Sequence, residues 1–249
     1  MTLPFAVPLV AGLTFLLAGM VKGVIGLGLP AVAMGLLVLV TTPAEAAAVL
    51  IIPSLVTNVW QLATGPSFVG LVRRLWSMMA GICFGALAGA GLLARTDATL
   101  ASGGLGAALV IYGLLGLSGI RVSVPSRLEP WLSPLVGTAT GVVTGATGVF
   151  VVPAVPYLQA LGLGKDDLVQ ALGLSFTVST VALAAGLAGE GAFHMAQAGT
   201  SVLALVPALV GMLAGQRVRR RVSARAFRLC FFAGLLALGS HSLLRALVQ

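Results

Sequence analysis

Residues 19–30, Gly19-Met20-Val21-Lys22-Gly23-Val24-Ile25-Gly26-Leu27-Gly28-Leu29-Pro30, break an apolar run with four glycines, a lysine and a proline. Residues 141–153, GVVTGATGVFVVP, break another in the same way. Gly141, Gly145 and Gly148 each stand 122 positions after Gly19, Gly23 and Gly26. The correspondence continues downstream. Ser54 and Thr57 match Thr177 and Thr180 at an offset of 123, and the pair Gly85-x-x-x-Gly89 matches Gly211-x-x-x-Gly215 at 126. A slow drift of this kind is what short loop insertions produce. The chain therefore reads as two halves, 1–124 and 125–249, and internal duplication is a common plan for secondary transporters.

Working outward from the breaks, apolar segments fall at 4–22, 29–41, 45–64, 75–94, 98–119, 131–147, 149–163, 167–188, 196–216 and 226–247. All read as helices, most of them close to the roughly 20 residues that span a bilayer core of about 30 Å. Composition agrees: 59% of the 249 residues are hydrophobic and 8% are charged, against about a quarter charged in soluble domains. Such a chain cannot build a water-facing surface. The expected fold is an all-α polytopic membrane protein, each half being a glycine-broken helical pair followed by three transmembrane helices. The first run has no basic region ahead of it, so a retained segment is expected, not a cleaved signal.

Orientation follows from the arginines. If each broken pair returns to the side it entered, each half makes an odd number of passages and the halves are inverted. Arg73, Arg74, Arg121, Arg127, Lys165, Arg217, Arg219, Arg220, Arg221, Arg225 and Arg228 then share the cytoplasmic side, with Arg95 opposite, eleven against one. Parallel halves would give eight against four, so the positive-inside rule selects inversion. The net charge of +8 thus reports topology, and nucleic-acid binding is not expected. Cys83 and Cys230 lie in apolar segments without metal-ligand spacing and are expected to be buried and inert.

Segment 29–41 would make about 20 Å of helix, short for a crossing. A turn inside the membrane accounts for it. Irregular backbone at that depth must be buried in protein or line a watery cavity, so the two breaks are expected to meet at one. Glycine supplies the positive φ such a turn needs. The helices opening near Pro30 and Pro153 would aim free N–H groups and a positive dipole end at that cavity, which suits an anion. The same glycines could also serve only to let helices pack.

Lys22 is the one basic residue in either break; its counterpart is Thr144. A charge at membrane depth is a functional candidate, although a lysine at the cytoplasmic interface can snorkel. The candidate substrate-binding set is Lys22, Gly23, Gly26 and Gly28, then Ser54, Thr57 and Asn58. In the second half it comprises Thr144, Gly145, Thr147 and Gly148, followed by Ser175, Thr177 and Thr180. Gln61 and Ser179 share the same polar faces, and hydroxyls on helices also bond back to their own carbonyls. The six acids, Glu45, Asp97, Glu129, Asp166, Asp167 and Glu190, fall at or near loops. That argues against a proton relay, a cation site or a metal. His194 and His241 have no nucleophile or metal-ligand partner, so no enzyme and no cofactor are expected.

These features, GMVKGVIGLGLP and GVVTGATGVFVVP in duplicated halves over nearly the whole chain, resemble the TauE/SafE sulfite exporter family of membrane transporters. The resemblance implies transport of small sulfur-containing or organic anions, such as sulfite, sulfonates or thiosulfate, outward across a bacterial plasma membrane. The second break departs by carrying Thr144 for Lys22 and Phe150 for Gly28. Export of a dianion would gain roughly 4.6 kcal/mol from a 100 mV inside-negative potential and needs no proton relay. A passive anion channel and a structural membrane subunit are the competing readings. Inverted halves place both termini outside: reporters fused at Gln249 and inserted at Glu190 should read external, and a cytoplasmic signal at Gln249 would exclude inversion.

Overall fold

A computed structural model of the chain describes residues 6–119, 122–192, 195–219, 221 and 223–248. Among these residues lie ten α-helices: α1 (Ala6–Ile25), α2 (Leu29–Leu37), α3 (Pro43–Ala63), α4 (Phe68–Arg95) and α5 (Ala98–Ser118), then α6 (Glu129–Thr147), α7 (Ala154–Ala160), α8 (Lys165–Gly189), α9 (Met195–Val218) and α10 (Ala224–Val248). Six of them, α3, α4, α5, α8, α9 and α10, are long and apolar enough to cross a membrane. The other four are the two glycine-broken pairs. The second member of each pair is cut to nine and seven residues, about 14 and 10 Å of helix.

The breaks are made as glycine chemistry requires. Gly26, Gly28 and Gly148 take φ of 79°, 99° and 70°, the left-handed region that a side chain disfavours. Pro30 then sits in the first turn of α2, where its missing N–H costs nothing. In the second half Phe150 replaces the second turning glycine, and its fully buried ring lies 5.5 Å from that of Phe176.

Packing directions follow from which residues face each other. Gly137, Gly141 and Gly145 of α6 meet Met78, Ile82 and Ala86 of α4 in that order, so α6 and α4 run parallel. Gly19 and Gly23 of α1 meet Ala208 and Met212 of α9, again parallel. Helices α5 and α10 are antiparallel, with Gly106 at Gly239 and Gly113 at Phe232. So are α3 and α8, through Ser54 with Thr180 and Gln61 with Val169. Gly28 at Phe231 and Gly35 at Leu238 set α2 parallel to α10, so α2 doubles back along α1. Likewise α7 returns to the start of α6, where Tyr157 Oη meets Ser133 at 2.7 Å.

Two ends result. At one, Arg74 pairs with Glu129 at 2.6 Å, and Arg73, Arg127, Lys165 and the arginines of the α9–α10 turn lie there too. At the other, Arg95 pairs with Glu190. Arg245, in the last turn of α10, joins Arg95, so that among the described residues nine of the eleven expected cations stand at the first end against two at the other. Arg121, His194, Arg220 and Gln249 lie outside the described residues. Trp60, Trp76 and Trp131, 62%, 66% and 76% exposed, all project outward towards the arginine-rich end, as interfacial tryptophans do. Cys83 and Cys230 are exposed on the outer faces of α4 and α10 rather than buried; an apolar segment whose outer face meets lipid exposes half of its residues.

The glycine pairs of α4 and α9 turn out to be the other side of the breaks' own seams. A Cβ on Gly85 would strike the Thr138 carbonyl, one on Gly141 the Ile82 carbonyl, and one on Gly211 or Gly215 the carbonyls of Leu16 or Met20. Gly141→Leu should therefore force α6 off α4 and lower the melting temperature of purified protein markedly, overpacking of this kind costing about 1–3 kcal/mol or more. Gly234→Leu, where a Cβ meets nothing within 4 Å, should melt like the parent.

Candidate functional site

Lys22 lies one turn before the end of α1 and is 4% exposed. Its Nζ donates to Thr57 Oγ1 at 3.2 Å and to Asn58 Oδ1, both on α3. Asn58 passes the network on: its Nδ2 donates to Ser54 Oγ at 3.0 Å and reaches Thr180 Oγ1 of α8 at 3.5 Å. Ser54 and Thr180 hydroxyls lie 3.3 Å apart. Ser54, Thr57 and Asn58 are fully buried and Thr180 is 1% exposed. The sequence places these residues in three separate segments, and the α3–α8 crossing brings them together.

Every partner of the ammonium is a neutral oxygen. Among the described residues the ion pairs are Arg74 with Glu129 and Arg95 with Glu190, and neither involves Lys22. A buried cation without a counter-charge is costly, and Thr57 and Asn58 offset only part of that cost. Where a cavity is expected between the breaks, the structure has a closed polar core instead. Thr57, Asn58, Ser54 and Thr180 fill the space by bonding to one another. The interfacial snorkelling reading also fails here, because Nζ points into this core and not towards solvent.

Thr57 and Thr180 also donate one turn back along their own helices, to the Pro53 and Phe176 carbonyls at 2.7 Å each, and join the core as acceptors; the other candidates make no bond to it. Thr144, Thr147 and Thr177 donate to Thr140, Val143 and Gly173 carbonyls one turn back, at 2.7, 2.6 and 2.7 Å; Thr147 also caps the Val149 N–H at 3.2 Å. Gly23 and Gly145 belong to helix seams, against the carbonyls of Met212 and Ala86. Gly26, Gly28 and Gly148 form the turns. Ser175 and Ser179 are fully buried and their hydroxyls have no partner, one helical turn apart on α8.

Two stabilising residues, Ser201 and Gln170, escape a reading of the sequence. Pro53 lies inside α3 and has no N–H to give the Val49 carbonyl four residues back. Ser201 of α9 repairs this, donating to Val49 O at 2.8 Å and accepting from Ile52 N at 3.1 Å. The proline is the signal that such a donor must exist; nothing in the sequence says which one. Gln61 and Gln170 clasp the other end of the α3–α8 crossing, donating to the Val169 and Leu62 carbonyls at 2.8 Å each.

Removing the amide from under the ammonium should be felt in stability. Asn58→Leu should destabilise the protein by about 1–3 kcal/mol, the cost of a buried charged donor losing its acceptor. Lys22→Met in the same chain should recover much of that loss in thermal unfolding; a double variant as unstable as Asn58→Leu would mean that the two residues are not coupled.

No curated protein and no solved structure matches the chain. The model of the family described as sulfite exporter TauE/SafE matches residues 11–241, a span that takes in both breaks and the whole polar core. The chain belongs to the TauE/SafE sulfite exporter family of membrane transporters.

Proposed function

We propose that this protein is a secondary carrier exporting a small anion, a sulfur oxyanion or organosulfonate, across a bacterial plasma membrane, and that Lys22 supplies the charge that selects it. The observation carrying this reading is the enclosed ammonium with only neutral oxygen partners. An anion arriving at Nζ would provide the missing counter-charge. Asn58 Nδ2, the Ser54 hydroxyl and the unpartnered Ser175 and Ser179 hydroxyls are further donors in the bundle, while Thr180 gives its proton to the Phe176 carbonyl.

The two halves are read as inverted repeats, 1–124 and 125–249. Support comes from helix directions: α1 and α6 are the first helices of their halves, and they start from opposite ends of the bundle. The charge distribution places the arginine-rich end in the cytoplasm. Each half's first helix packs on the other half's fourth, and α3 crosses α8 at the polar core. Rocking one half on the other about that crossing would open the core to either side in turn, which is alternating access. The sealed core favours a carrier over a passive channel, since a channel needs a continuous wet path. Counterflow in proteoliposomes would separate the two, and would exclude a purely structural subunit.

At an effective dielectric of about 20, a unit charge 4 Å away contributes on the order of 4 kcal/mol before desolvation, and a surviving third of it changes affinity about tenfold. In reconstituted vesicles at equal protein amounts, Lys22→Met should thus raise the Km for sulfite at least several-fold. Lys22→Arg should keep part of the affinity. An unchanged Km in Lys22→Met would remove Lys22 from the substrate site.

A further inference from the structure

The arginine-poor end of the bundle carries a recess of about 380 Å³ between the α2–α3 turn, the start of α5 and the end of α10. Its lining mixes apolar side chains, among them Val38, Leu39 and Val40, with hydroxyls, Glu45, His241 and Arg245. Ser242 is 4% exposed, lines the recess, and its hydroxyl has no hydrogen-bond partner. Arg245, one turn further along α10, lines it too, and among the described residues it forms no ion pair. Across from them lie Thr99 and Ser102 in the first turns of α5. The N-cap residue of that helix, Asp97, makes no side-chain capping bond, so the first-turn N–H groups keep their partial positive charge.

One acid borders the recess. Glu45 is already engaged, its carboxylate accepting the Thr42 N–H at 3.0 Å while Thr42 Oγ1 accepts from Glu45 N at 3.3 Å, a capping box that closes the start of α3. Thr41 and Thr42 are engaged as well, Thr41 donating to the Leu37 carbonyl; the groups left to donate are the Arg245 guanidinium, the buried Ser242 hydroxyl, the Thr99 and Ser102 hydroxyls and the start of α5, with His241 beside them.

We propose that this recess is a second anion site, binding a small oxyanion at the mouth of the bundle opposite the arginine-rich end, separate from the Lys22 core. The guanidinium binds the anion's charge, the Ser242 hydroxyl donates from below, and the start of α5 closes the far side. On the orientation proposed above the mouth faces outward, where it would hold an exported anion or capture one returning. The substrate class rests on the anion reading of the Lys22 core, but the recess and its donors do not.

The test is calorimetric titration of sodium sulfite into the full-length protein in lipid nanodiscs, with gel filtration and thermal melting to establish folding. Lys22→Met should retain one class of sulfite binding. In that background Arg245→Ala should weaken the retained binding about tenfold, as loss of a charge-assisted contact does. Ser242→Ala should weaken it several-fold and Arg245→Lys less than Arg245→Ala. If folded Lys22→Met binds no sulfite, or if Arg245→Ala and Ser242→Ala titrate like their parent, the second site does not exist. The two proposals fail separately: an unchanged transport Km in Lys22→Met sinks the core reading alone, and unchanged binding on altering Arg245 and Ser242 sinks the recess alone.

Discussion

Hydrocarbon offers no hydrogen bonds, so every backbone break inside this bundle must be satisfied by the protein itself. That constraint explains most of what distinguishes the chain from ten plain helices. The turns at Gly26, Gly28 and Gly148 are tolerable because glycine adopts them without strain; Gly28 and Gly148 are buried, while Ile25, Gly26 and Leu27 are partly exposed. Where Pro53 opens the ladder of α3, a hydroxyl from α9 closes it. Where threonines could be orphaned, they bond one turn back along their own helix. The polar core around Lys22 is the place where the same rule is met only in part.

Close helix contact is the second consequence. With lipid on the outside, apolar burial does little to hold helices together, and small residues that let backbones approach do more. Seams of glycine run between α1 and α9 and between α4 and α6, and in each seam both helices contribute glycines. The result is an exchange: the opening helix of one half lies in the other half. The α3–α8 crossing between these seams is polar, clasped by Gln61 and Gln170 at one end and centred on Ser54 and Thr180. Directional contacts of this kind set a fixed register, while the glycine seams hold by close backbone approach.

Much of the architecture was legible because it depends on local chemistry. The ten apolar segments correspond to ten helices, and the shortened member of each pair could be read from glycine and proline positions alone. The membership of the site was less legible, since it depends on which helices cross. Lys22, Ser54, Thr57, Asn58 and Thr180 come together because α1, α3 and α8 meet; Thr144, Thr147 and Thr177 bond back to their own helices as Thr57 and Thr180 do but have no place in that network, and nothing in residue type separates the two groups. Gly23 and Gly145 illustrate the same difficulty, because a glycine that turns a chain and one that admits a neighbour look alike in sequence. Ser201 could only be inferred as an unnamed donor owed to Pro53. Arg245 was missed as a charge at the quiet end because it falls in the last turn of a helix rather than in a loop.

The exchanged seams have a bearing on how the chain is made. Gly19 and Gly23 of α1 wait for Ala208 and Met212 of α9, about 190 residues further along the chain. At a synthesis rate of about 5–20 residues per second, the opening helix spends roughly 10–40 s without its partner. During that interval its glycine face lacks α9, although α3, which holds the Lys22 ammonium, follows within about 36 residues. Residence at the insertion machinery, or beside its own α2, is where that first helix must be held until the ninth arrives, so the last-made part of the chain completes the first.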